Sequence, residues 1–185
     1  MLTKDMHKQD IDNFLEGKGD FVKIDHLTRY IKSMPPIEMR KYAYLKLAEV
    51  FTKKEMFVDA AGAFRNAAVN SVAFREKQEN YLNEAKAYIS GGKFDESDKA
   101  LKRAMDEGNQ KEKDRLYSEI LEYYRNEVKN LKARGKHGHI VKVYEKMIRM
   151  KFPEGEKEEI KGELLNLYEK LGKVKEYKTL RGIDY

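Results

Sequence analysis

The sequence has no cysteine and no tryptophan, and only 3 prolines and 12 glycines among its 185 residues. Without cysteine there is no disulfide framework, no thiolate zinc or iron–sulfur site and no cysteine nucleophile. That composition fits a reducing compartment, and the cytoplasm is the expected location. The longest unbroken apolar run is Tyr42 to Leu45, far short of the roughly 20 residues a membrane-spanning helix needs. The opening MLTKDMHKQD lacks the apolar stretch of a secretory leader. Scarce glycine and proline point to long helices joined by tight turns rather than a many-stranded sheet. Catalytic signatures are missing as well. EGKGD lacks the spacing and the Lys-Ser/Thr of a phosphate loop, and neither GxSxG nor HExxH occurs.

What the chain does contain is charge and aromatic residues. Charged residues make up 38% and hydrophobic ones 41%, with 12 Tyr and 8 Phe, so there is enough apolar material for a core and too much for wholesale disorder. The net charge of +6 is concentrated in one place. From Arg125 to Lys151 stand nine cations, Arg125, Lys129, Lys132, Arg134, Lys136, Lys142, Lys146, Arg149 and Lys151, against Glu127 and Glu145. That segment is +7 and the rest of the chain −1.

The apolar residues recur at helical spacing and in pairs of helices. Tyr44, Leu47, Ala48 and Phe51 share one helix face; after the turn Thr52-Lys53-Lys54-Glu55, Ala60, Phe64 and Ala67 share another. Small alanines let two such helices approach while the aromatics fill the space between them. The pattern returns with Tyr81, Ala85 and Tyr88, the turn Gly91-Gly92, then Phe94, Ser97, Leu101 and Ala104. Further copies carry Tyr124, Val128 and Leu131 before Gly135, with Ile140, Tyr144 and Met147 after it, and Leu164, Leu165 and Tyr168 before Gly172. A first copy has Ile11 and Leu15, then Phe21, Ile24, Leu27 and Ile31, stopped at Pro35-Pro36. Aligned on Gly19, Glu55, Gly92, Gly135 and Gly172, the periods are 36, 37, 43 and 37 residues. Helices are predicted near 4–16, 20–33, 36–53, 55–70, 73–90, 94–107, 110–134, 137–151, 155–171 and 173–181. A unit of this size cannot bury its faces alone, and stacked neighbours share one core.

These residues resemble the tetratricopeptide (TPR) family, in which helix A carries an aromatic, Leu-Gly/Ala and Tyr/Phe before a turn glycine, and helix B carries Ala, an aromatic and Ala. The likeness is closest over 41–107; the period is longer than the family's, and Ile140 and Met147 stand where small residues are usual. The resemblance implies an all-α fold. It would be a right-handed α–α superhelix, or solenoid, of about five hairpins in one domain spanning 1–185, the hairpins being 4–34, 36–71, 73–108, 110–152 and 155–182. The run LAEVFTKKEMFVDAAGAFRNAA, followed by YLNEAKAYISGGKFDESDKALKRAM, is also similar to the α-SNAP family of membrane-trafficking adaptors.

In such stacks the A helices line a concave groove. The family pattern places Leu82, Lys86 and Ile89 there from one unit, and Glu122, Arg125, Lys129 and Lys132 from the next long helix. An apolar floor with a basic wall would steer and hold an acidic peptide or helix. The expected function is therefore a protein-interaction scaffold or adaptor, not an enzyme, with no cofactor. Two alternatives stay open: nucleic-acid binding by the basic hairpin 125–151, and SNAP-like adaptor work at a membrane, for which Phe21 is the one candidate contact. His137-Gly138-His139 reads as a solvated turn, since two histidines two apart on a helix start point in different directions. Glu158-Glu159 reads as helix-start charge.

Overall fold

The computed structural model describes residues 2–106 and 108–182. These form ten helices and no strand: α1 Lys8–Leu15, α2 Asp20–Lys32, α3 Ile37–Lys53, α4 Phe57–Val69, α5 Phe74–Ser90, α6 Phe94–Met105, α7 Gln110–Ala133, α8 His137–Ile148, α9 Glu154–Lys170 and α10 Val174–Arg181. The chain divides into two compact units, Met1–Tyr117 and Ser118–Tyr185, with the division inside α7. Helix α1 begins later than its apolar pattern predicts. The His7 backbone N–H donates to the Asp10 carboxylate at 2.8 Å, which fixes the helix start at that point by satisfying one of its otherwise unpaired amides. Helix α8 stops at Ile148 rather than 151.

The turns within hairpins explain the repeat. Glu55, Gly92, Gly135 and Gly172 all sit at positive φ, between 57° and 67°. Their N–H groups bond three residues back, to Thr52, Ile89, Lys132 and Glu169. The next N–H in each case reaches five back: Met56 to Phe51, Lys93 to Tyr88, Lys136 to Leu131 and Lys173 to Tyr168, at 2.8 to 3.0 Å. This double closure is the Schellman motif. The residue after it enters the second helix with ψ between 56° and 69° in all four copies, so each hairpin is turned by the same backbone path. The first turn differs: its left-handed residue is Gly17, at φ 68°, whereas Gly19, on which the sequence alignment had placed it, caps α2 at φ −64°.

In the first unit Ile11, Leu15, Leu27, Tyr30, Ala43, Leu47, Ala48 and Ala63 form a continuous core. Phe64, Phe51 and Tyr44 pack against it only partly buried, because α4 makes its closest approaches through Ala60, Ala61, Ala63, Ala67 and Ala68, all buried. The second unit buries Ile120, Tyr124, Val128 and Leu131 of α7, Ile140, Val141, Val143, Tyr144 and Met147 of α8, and Ile160, Leu164 and Tyr168 of α9. Each such large side chain removed from water contributes about 1.5–3 kcal/mol before chain entropy is counted.

Consecutive odd-numbered helices are tied by ion pairs of regular sign. Asp12 of α1 meets Lys46 of α3 at 3.0 Å, and accepts from the Tyr42 hydroxyl at 2.6 Å. Lys41 of α3 meets Glu76 of α5 at 2.6 Å. Glu79 of α5 meets Arg115 of α7 at 3.0 Å. In the second unit Arg125 and Lys132 of α7 meet Glu156 and Glu163 of α9 at 2.8 and 2.5 Å. Helices α1, α5 and α9 thus supply acids, and α3 and α7 supply bases.

Candidate functional site

The seven side chains expected in one groove fall into two compact units. Of the three in the first unit, Leu82 and Ile89 are 0% and 1% exposed, so no partner reaches them in this structure. Helix α5 packs against both α4 and α6 and is also bonded to α3 and α7, which buries it on nearly every side. Lys86 is half-buried.

The other four lie on one face of α7, in the second unit. Arg125 makes two bonds to the Glu156 carboxylate, Nε to Oε1 at 2.8 Å and Nη2 to Oε2 at 2.9 Å, and a third to Glu122 at 3.1 Å. The Glu156 bond, ahead of burial and of Glu122, sets the balance that holds the guanidinium charge, moving its pKa up. The same bond moves Glu156 down. Lys132 pairs with Glu163, whose carboxylate also accepts from the Tyr144 hydroxyl at 2.5 Å. Burial is the largest influence on Tyr144 and, with Glu163 beside it, pushes the phenol up to about 12. Burial also works to raise Glu163, but Lys132 and Tyr144 outweigh it and its pKa falls. Much of the α7 basicity is therefore engaged within the fold. Lys129, one turn beyond Arg125, is exposed.

Beside Arg125 lies a shallow depression of about 640 Å³. Leu121, Phe152 and Pro153 give it an apolar floor, and its rim carries Arg125, Lys151 and Lys157 together with Glu122 and Glu154, the last paired with Lys157 at 3.0 Å. The Arg125 guanidinium rests 5.3 Å from the Phe152 ring centroid. Phe152 itself is 4% exposed, so the floor is rigid rather than a projecting anchor. Arg125 and Glu122, expected in a groove shared with Leu82 and Ile89, line this depression instead; Phe152, in the loop after α8 and outside any helical periodicity, was not anticipated.

Sequence reasoning also missed Glu84. It sits at the centre of α5, 0% exposed, and its Oε1 receives Arg65 Nε of α4 and Arg103 Nη2 of α6, each at 2.7 Å. Arg65 also donates to the Tyr88 hydroxyl at 3.1 Å, and Arg103 lies over the Tyr81 ring. Two second helices of neighbouring hairpins are thereby clamped to the first helix between them. At the start of α2, Phe21 and Val22 are 68% and 47% exposed, with Lys54 over the Phe21 ring. Among the described residues no helix is long and apolar enough to cross a membrane, and no group of three or more His, Cys, Asp or Glu is placed to hold a metal. Compared with known proteins, the chain matches no family model, no curated protein and no solved structure.

Proposed function

We propose that this chain is a cytoplasmic helical-repeat scaffold of the TPR-like type, its hairpins stacked as a right-handed solenoid, which binds a segment of another protein and does no chemistry of its own. The observation that carries the binding site is the α7 depression, with its apolar floor and a rim on which three cations outnumber two carboxylates. It fits a peptide or helix with one apolar anchor flanked by acidic residues, because charge steers such a segment and the apolar contact holds it. The four turns of one backbone form support the repeat architecture. Glu122 and Arg125 line this surface, Lys129 and Lys132 lie further along the same face of α7, and Leu82 and Ile89 act as core.

The test is selection of binders from a peptide library on the intact chain, followed by charge reversal. Lys151→Glu and Lys157→Glu, both on the lining, leave the Arg125–Glu156 pair intact, and circular dichroism checks that the helices persist. Acid-rich binders that lose at least tenfold in affinity on both changes are the expected result. Binders indifferent to both changes remove this site. A second reading is favoured by one observation, the exposed Phe21-Val22 step: a peripheral adaptor in the manner of the α-SNAP family would insert it into a bilayer. Co-sedimentation with vesicles, lost on Phe21→Ser, is its signature.

A further inference from the structure

Helix α8 carries a second feature that the scaffold reading does not use. Its buried face holds Ile140, Val141, Val143, Tyr144 and Met147. Its outer face is basic from end to end: Lys136 at the cap, then His139, Lys142, Lys146 and Arg149 at steps of three or four. Lys136, His139, Lys142 and Arg149 are exposed, and Lys146 half-buried. The one acid on α8, Glu145, accepts the Tyr168 hydroxyl at 2.8 Å. At about 1.5 Å per residue the row extends roughly 20 Å. Aligned on the turns, α4 has no cation at these five places, and α6 has three, Lys93, Lys99 and Arg103, interrupted by acids. The places of His139, Lys142 and Arg149 are taken by Asp59, Gly62 and Val69 in α4, and by Glu96, Lys99 and Asp106 in α6.

We infer that the outer face of α8 binds the phosphate backbone of double-helical nucleic acid. Charge complementarity identifies a polyanion, and two absences on this face narrow the choice. Protein interfaces draw their affinity from apolar and aromatic anchors, and along the row Ile140, Val141, Val143, Tyr144 and Met147 are buried and Ile148 is half-buried, so no large apolar side chain stands exposed. Single strands are held by stacking on several aromatic rings in succession, and the row presents only the His139 imidazole, with no exposed Phe, Tyr or Trp. What remains is contact by charge alone, which suits phosphates read without regard to base sequence.

The experiment is fluorescence anisotropy of labelled 20-base-pair DNA and RNA duplexes with the full chain, from 50 to 200 mM salt. Three exposed permanent cations, Lys136, Lys142 and Arg149, predict a log–log slope of about −2.7 and a loss of about 40-fold across that range. Lys142→Glu with Arg149→Glu is expected to weaken binding at least tenfold and to flatten the slope, while Lys111→Glu, an exposed change in the first unit, leaves both unaltered. Lys142→Ala serves as the milder variant should the double reversal disturb the helix, with circular dichroism as the check. Three results would overturn the inference: no duplex binding at 50 mM salt, binding that survives loss of the row, or capture of an acidic peptide or of phosphatidylserine vesicles by the row in place of both duplexes.

Discussion

Replacing Glu84 by Gln keeps its size and removes its charge, and the consequence can be worked from the geometry. The wild-type carboxylate is wholly buried and holds two guanidinium groups at 2.7 Å. Breaking a buried ion pair at one partner costs about 3–5 kcal/mol, because the remaining charge is left uncompensated. Here the remaining charges have an escape, since the side chains of Arg65 and Arg103 are 47% and 34% exposed and can turn to water. The expected loss is therefore the low end, about 3 kcal/mol. For a chain of this length that corresponds to a melting midpoint lower by roughly 6–12 °C. Urea and thermal denaturation followed by helical circular dichroism measure it. The matched control is Glu84→Leu with Arg65→Met and Arg103→Met, which removes all three charges and is expected to recover most of the loss. The last hairpin already contains such a solution, because Leu164 occupies the place of Glu84 when Gly172 is aligned on Gly92. A Gln variant within about 1 kcal/mol of wild type, or a triple variant no better than the single, would refute the clamp.

Two further predictions concern the turns and the acid limb of stability. A Cβ at Gly92 meets nothing within 4 Å, so Gly92→Ala is a test of backbone conformation alone and should cost about 1–2 kcal/mol at φ +67°; Glu55→Gly relieves the same strain at the equivalent turn, and the two shifts in denaturation midpoint should be opposite in sign. Glu156 and Glu163 are depressed below their ordinary value of 4.5 in the fold. The stability they contribute is therefore present above that value and is lost as pH falls through the depressed pKa. Stability measured from pH 6 to 3 should decline below about 4.5, and Glu156→Gln with Glu163→Gln should flatten that decline.

The helices were legible because their apolar spacing and their turn glycines agree, and because one path of backbone turns four hairpins. Even Glu55, with no glycine to mark it, was placed by its neighbours' spacing. The surface was less legible. Leu82 and Ile89 lie on α5 at the spacing of a groove floor, yet the helix is packed on several sides, and a single sequence shows a stripe without showing how many neighbours cover it. Arg125 and Lys132 were visible as charge, but their acids, Glu156 and Glu163, lie a whole repeat downstream, where local pattern gives no pairing signal. Glu84 reads as a polar position in an amphipathic helix; only the approach of Arg65 and Arg103 from both flanks makes it a core residue. The row on α8 was visible within the segment Arg125–Lys151, although helix facing was needed to separate it from the engaged cations of α7.

The signs of the ion pairs between odd-numbered helices have a consequence for how such a chain can grow or shrink. Deleting a single hairpin, for instance the span carrying α4 and α5, would bring Lys41 against Arg115, base facing base. Deleting or duplicating two hairpins together would restore acid against base at the new junction. By this parity rule the smallest module that the chain can gain or lose without electrostatic mismatch is four helices, twice the structural repeat.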